Sequence, residues 1–136
     1  MLKQKNKDVC RVVCFNKKLV GSLKTGMPQP AFIDKVAGIF SIVGDKTRVK
    51  ILFILSGEKE LCVCDIANTL GLTISATSHQ LRKLRDRGVV KYRNDGNMVY
   101  YTLEDKHIEE LLIDAFKHVR TLMPDIKKTI KHGIQA

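Results

Sequence analysis

Two short amphipathic segments meet at Gly71-Leu72-Thr73, and this junction constrains the fold more than any other feature of the chain. Upstream, Ile66, Ala67 and Leu70 recur at helical spacing and stop at Gly71; downstream, Ile74, Leu81 and Leu84 form an inward row that stops at Gly88. Two short helices around a three-residue turn predict a helix-turn-helix. The next segment, VVKYRNDGNMVYYTL, sets β-branched and aromatic runs on either side of Asp95-Gly96, a strong hairpin signal. A hairpin directly after a helix-turn-helix is a wing. The expected fold is mainly α with a small β-hairpin, a winged helix-turn-helix.

The flanking segments complete the domain. Proline biases its predecessor away from helix and suits a first helical turn, so Met27-Pro28-Gln29-Pro30 separates a basic arm, residues 1–29, from a folded domain, residues 30–123. Phe32, Ile33, Val36, Ala37, Phe40 and Val43 predict the first helix of that domain. Asp45 caps a second helix, with Val49, Leu52, Phe53 and Leu55 facing the core before Gly57 stops it. After the wing, Ile108, Leu111, Leu112, Ala115, Phe116 and Val119 form one apolar stripe on a last helix. The stripe is either core or dimer interface, and after a compact winged helix the interface is the favoured reading. Pro124 ends the helix and begins a basic tail, residues 124–136, with Lys127, Lys128 and Lys131.

A chain of 136 residues with 44% hydrophobic content can bury one core and has little room for a second. Its 24 Lys and Arg against 14 Asp and Glu draw it toward polyanions, and nucleic acid is the default partner. No apolar run reaches the roughly 18 residues of a membrane span, and MLKQKNKDVC lacks the apolar stretch of a secretory signal, so membrane association is not expected and a cytoplasmic location is. With its leucines inward, the segment after the turn presents Ser75, His79, Arg82 and Asp86 on one face, flanked by Ala76, Gln80 and Lys83. Short polar groups let a helix backbone approach base edges, while Arg, Gln and His supply donors suited to guanine and adenine. Thr73, Ser75, Ala76, Ser78, His79, Gln80, Arg82 and Lys83, with Arg93 on the wing, are therefore the candidate DNA-binding residues. A merely solvated basic face is the blander reading. It does not account for helix, turn, helix and hairpin arriving in order.

ELCVCD, residues 60–65, raises a separate question. All four cysteines fall into two close pairs, Cys10 with Cys14 and Cys62 with Cys64. In a reducing compartment such pairs point to metal binding or redox chemistry rather than disulfides, although each cysteine taken alone could be a small buried hydrophobe. Thiolates are soft ligands that favour zinc, cadmium and lead over magnesium or calcium, and four suit a tetrahedral site. Two residues one apart cannot point the same way along a regular helix, so the helix containing them is expected to start irregularly. At such a start, the dipole and nearby cations would lower the thiol pKa.

From Asp45 to about Val119 the chain resembles the ArsR/SmtB family of metal-sensing repressors, and ELCVCDIA, TISATSHQLRKLRDRGVV and NMVYYTLEDKH carry the likeness. The resemblance implies a homodimer that holds operator DNA when metal-free and releases it when metal binds. Cys62 and Cys64 match the family's thiolate motif. With Cys10 and Cys14 added, the chain resembles the cadmium- and lead-sensing CadC subgroup, in which the partner subunit's arm completes the site. The implied inducer is a thiophilic ion such as cadmium, lead or zinc, and the implied output is derepression of metal-resistance or efflux genes. Asp105, His107 and His118 match a second family site built across the dimer. There Thr121 stands where Glu or His is usual, so a tetrahedral zinc would lack one protein ligand unless water or Glu104 substitutes; Asp105 serves equally well as a helix cap.

Other readings were weighed against this one. An arsenite- or antimonite-responsive repressor of the same fold would use three thiolates in a trigonal array, and whether Cys10 and Cys14 are needed discriminates it. A metal-buffering protein would need neither recognition helix nor wing. The chain carries no glycine-rich phosphate loop, zinc-protease signature or CxxC, so neither an enzyme nor a small-molecule substrate is expected.

Overall fold

The structure is a computed structural model and describes residues 8–124. The chain divides into two compact units, residues 1–35 and 36–136. In the first lies α1 (Lys17–Thr25), a helix within what the sequence led us to expect as a basic arm. Asn16 explains the helix: its Oδ1 accepts from the Leu19 N–H at 3.0 Å, and Gly26 closes the other end. None of its residues is buried. Helix α2 (Pro30–Val43) begins on a proline, where a missing N–H costs nothing.

The second unit contains α3 (Lys46–Gly57), β1 (Leu61–Cys62), α4 (Val63–Leu70), α5 (Ile74–Asp86), β2 (Val90–Asp95), β3 (Met98–Leu103) and α6 (Lys106–Leu122). Helix α3 is its centre. Asp45 caps it by accepting from the Arg48 N–H at 3.0 Å, and Ile51, Leu52 and Leu55 are excluded from solvent. Around them pack Ile66 from α4, Leu81 and Leu84 from α5, Val89, Val90 and Tyr101 from the wing, and Ile108 and Leu112 from α6. Fully burying each such side chain contributes about 1.5–3 kcal/mol, so the helix-turn-helix is held by its core rather than by the propensity of its short helices.

The turn closes as the glycine suggested. Gly71 adopts φ +66°; its N–H donates to the Asn68 carbonyl and the Leu72 N–H to the Ala67 carbonyl, so the last carbonyls of α4 are satisfied by two crossed bonds. Thr73 then caps α5, accepting from the Ala76 N–H at 3.0 Å.

Several details depart from expectation. Ile74, expected inward, is 55% exposed, because side chains lean toward a helix N-terminus and one in the first turn points past the end of the core. Thr77 takes the inward position and satisfies its hydroxyl on the Thr73 carbonyl at 2.9 Å. The wing turns one residue later than Asp95-Gly96 implied. Asp95 pairs with Met98, leaving Gly96-Asn97 as the loop, and Gly96 takes φ +58° while Asn97 does not adopt positive φ. That is the turn with glycine first, whose twist matches the flanking strands. The sheet also has three strands rather than two, ordered β1-β3-β2 and antiparallel throughout.

Among the described residues no helix is long and apolar enough to cross a membrane. The expected basic tail lies, beyond Pro124, outside the described residues.

Candidate metal centre and nucleic-acid interface

Strand β1 is where the thiol motif begins. Cys62 ends β1 in extended conformation, φ −76° and ψ 155°, opposite Tyr100, and it is also the N-cap of α4. The regular helix begins only at Val63. Two cysteines one residue apart are thereby accommodated without distorting a helix: Cys62 is a buried cap and Cys64 a partly exposed member of the first turn. The Asp65 N–H donates to the Cys62 Sγ at 3.4 Å, a weak sulfur version of the usual hydroxyl or carboxylate cap.

The expectation that a helix start would depress the thiol pKa fails for Cys62, whose pKa is raised. The N–H of Asp65 favours the thiolate, but the Asp65 carboxylate, burial and the neighbouring Cys64 together outweigh it. The free site thus tends to keep its proton, and a thiophilic cation binding there must displace it. Two thiols at one strand–helix junction fit a soft cation in donor type and fall short in number. Cys10 and Cys14 are exposed in the first unit. Among the described residues no group of three or more His, Cys, Asp and Glu side chains could hold a metal within one chain.

The second candidate set is dispersed. Asp105 caps α6, its Oδ1 accepting from the His107 N–H at 2.9 Å and the Ile108 N–H at 3.3 Å. His107 and His118 are exposed on α6, about 16 Å apart along the axis at 1.5 Å per residue. Thr121 turns its hydroxyl to the His118 carbonyl at 2.6 Å, and Glu104, the suggested substitute ligand, pairs with Lys91 at 2.8 Å.

On the other side of the turn, α5 carries Ser75, Ala76, His79, Arg82 and Lys83 exposed, with Thr73 exposed at its cap. Two further candidates are less exposed. Gln80 accepts from Arg48 Nη1 at 2.9 Å, and the same guanidinium donates through Nε to the Ile42 carbonyl at 2.6 Å, tying the end of α2 and the start of α3 to α5. Ser78 is partly buried in a cleft of about 200 Å³ between α5 and the wing, which it lines with Arg82, Arg85, Tyr92 and Asn94. Arg85 lies 4.8 Å over the Tyr92 ring, bracing helix against wing. Arg93 is also held. Its Nε and Nη2 donate to the two carboxylate oxygens of Glu60, at 2.9 and 2.5 Å, and its guanidinium lies 4.5 Å over Tyr100.

Arg48 and Glu60 were missed by the sequence reading. Both act through partners more than thirty residues away, and no local pattern marks such a pair.

An apolar groove of about 360 Å³ runs between α2 and α6, lined by Phe40, Val43, Val49, Leu111, Leu112, Ala115, Phe116 and Val119. Ile108 and Leu112 turn inward, while Ala115 and Val119 stay exposed, so the expected stripe serves the core at one edge and lies open at the other. An open apolar edge of this kind suits association with a second copy.

Residues 45–92 match the profile of bacterial regulatory proteins of the arsR family. The chain is 42% identical over 114 residues to a cadmium resistance transcriptional regulatory protein CadC homolog of Staphylococcus aureus, covering 84% of this chain and 93% of the relative. It is 41% identical over 86 residues to a transcriptional repressor SmtB homolog of Synechocystis, covering 63% of this chain and 64% of that one. Among solved structures it resembles the homodimeric winged helix-turn-helix DNA-binding domain (fragment 1–100) of a possible ArsR-family regulator of Mycobacterium bovis, with TM-score 0.59 and 25% identity over 79% of this chain and 97% of that one. The profile spans the thiol motif and α5, the CadC-type relative extends over most of the chain, and the chain belongs to the ArsR/SmtB family of metal-sensing transcriptional repressors, non-enzymatic DNA-binding proteins similar to CadC.

Proposed function

We propose that the chain is a homodimeric repressor that holds operator DNA when metal-free and leaves it when a thiophilic divalent ion, cadmium, lead or zinc, occupies a site made by Cys62 and Cys64 with Cys10 and Cys14 of the partner subunit. Release would derepress metal-resistance or efflux genes. The observation that carries this reading is the position of Cys62: it ends the strand paired to the wing and caps α4, the helix packed against α5. Both DNA-facing elements therefore adjoin the thiol motif. A bound ion supplies a cross-link between thiolates.

Ligand binding can shift DNA affinity only through differential affinity for two conformations. Restraint of α4 at its cap provides that difference, because a modest reorientation misplaces two recognition helices from successive major grooves. Ser75, Ala76 and His79 near the start of α5, followed by Arg82, face the bases on this reading, with Thr73, Ser78, Gln80, Lys83 and Arg93 positioning the backbone.

The test is a titration of cadmium, lead, zinc and arsenite into protein bound to fluorescent DNA, with the thiolate absorption band read in parallel. Cys62→Ser or Cys64→Ser should retain DNA binding and lose the response to cadmium and lead, and Cys14→Ser should weaken that response. A full response to arsenite with either Cys10 or Cys14 replaced, lost when both are, would instead favour the three-thiolate reading.

A further inference from the structure

Arg93 lies on the wing, where a cation is expected to meet a DNA phosphate, yet in the structure both edges of its guanidinium are turned to protein carboxylates. Glu60 takes Nε and Nη2 in a two-bond fork, Nη1 lies 3.8 Å from Asp95 Oδ2, and Tyr100 backs the plane. A forked carboxylate is the strongest ordinary competitor a protein can offer to phosphate for the same guanidinium, since each presents two anionic oxygens to the paired N–H donors. Phosphate contact by Arg93 requires that Glu60 let go.

Where Glu60 sits matters as much as what it holds. It directly precedes β1, two residues before Cys62. The register places Cys62 opposite Tyr100 and Tyr100 opposite Arg93, so thiol, aromatic ring and guanidinium belong to one row across the three strands. Strand β1 has only two residues, Leu61 and Cys62, to fix it against β3. Its downstream end is the cap of α4, so restraint of Cys62 is restraint of β1 and of the carboxylate just before it.

We propose that Glu60 is an internal competitor with DNA phosphate for Arg93, and that strand β1 places this competition under the control of the Cys62–Cys64 site. The second half rests on the metal-responsive reading given above. With the thiol site closed, β1 is fixed on β3, Glu60 is pre-organised in its fork, and Arg93 is withheld from the backbone. With the site open, β1 is tethered by two residues alone, the fork is held less tightly, and phosphate recovers the guanidinium. The wing is then a second line of communication, beside the one through α4, and Glu60 is its positioning residue.

A double-mutant cycle tests both halves, using a fluorescent duplex selected from a random pool by the wild-type protein, over a series of salt concentrations, without metal and with cadmium. Both side chains are surface groups, 34% and 51% exposed, so Glu60→Gln and Arg93→Gln should fold normally. Without metal, Glu60→Gln should bind DNA about fivefold more tightly, the scale of a well-formed exposed ion pair. Arg93→Gln should bind more weakly, with a slope of log affinity against log salt shallower by about one. The double variant should match Arg93→Gln, because Glu60 acts on DNA only through Arg93. Unchanged affinity in Glu60→Gln, or a Glu60 effect that persists in the Arg93→Gln background, would overturn the competition. With cadmium, Glu60→Gln should bind the ion as the wild type does, read by the thiolate absorption band, while losing about threefold less DNA affinity, a large part of the same ion-pair scale. A loss equal to the wild type's would overturn the link to the thiol site. Wild-type protein that ignored cadmium and the other ions altogether would sink the metal-responsive reading and this link together, and the metal-free cycle would still decide the competition for Arg93.

Discussion

Tyr101 shows how much one residue's surroundings matter. It is 4% exposed in the middle of β3, beside Tyr92 with ring centroids 5.9 Å apart, and burial raises its pKa against the opposing pull of Arg85 and Arg82. A folded-state pKa above the unfolded one means stability that is fully present below about pH 10 and is lost as pH rises through the folded value. Stability to denaturant should therefore fall on the alkaline side, and Tyr101→Phe should flatten that limb; parallel curves for the two proteins from pH 8 to 11 would refute the assignment. Arg82 is judged by a different measurement. It is exposed on the face of α5 read as the DNA contact, so Arg82→Ala should cost about 1–3 kcal/mol of binding to the selected duplex and change the preferred base at one position. Wild-type affinity would mean that α5 is misplaced in the groove. His118→Ala should leave cadmium release intact, since Thr121 and Glu104 are already occupied with the His118 carbonyl and Lys91; if His118 proved essential and the cysteines dispensable, sensing would move to α6 with zinc as inducer.

Among the elements, the α4 turn is the most sharply specified. Gly71 sits at φ +66°, with nothing within 4 Å of where a Cβ would stand, so Gly71→Ala meets no clash and bears only the left-handed backbone penalty of about 1–2 kcal/mol. Thermal melts should show that loss while the DNA-binding residues remain in place. Little or no loss of melting temperature would mean that the turn can adopt another conformation. The turn, the Asp45 and Asp105 caps and the helix at Pro30 were all legible locally, because each rests on a residue whose backbone or side-chain preference acts within a few positions. Strand β1 was not. Two residues carry no period, and Leu61 and Cys62 become a strand only because β3 lies alongside. Helix α1 was missed for a related reason: seven Lys and Arg within residues 1–26 read as a basic arm, and the one local signal, the Asn16 cap, was not recognised.

For the molecule as a whole, charge and the open apolar edge make the firmest demands. A chain with formal charge +10 that meets DNA through Arg and Lys must release counterions, so affinity should fall steeply and linearly on a logarithmic salt scale; a flat profile would exclude α5 and the wing as the binding surface. The groove between α2 and α6 should be covered by a second copy, and sedimentation should show a dimer at micromolar concentration with and without metal, a monomer being the contrary result. Sequence alone determined the order of the domain's helices and its hairpin, the helix-turn-helix and its turn, and the suspicion attached to ELCVCD. These are written in apolar periods, glycines and caps, interactions that span one or two turns of chain. Tertiary structure alone decided that Cys62 is both strand end and helix cap, that Gln80 is engaged by Arg48, that Thr77 rather than Ile74 faces inward, and that Arg93 is held by Glu60. Each of these outcomes depends on where a second element happens to pack, and a side chain's burial and partner are settled by three-dimensional neighbours that no local spacing encodes.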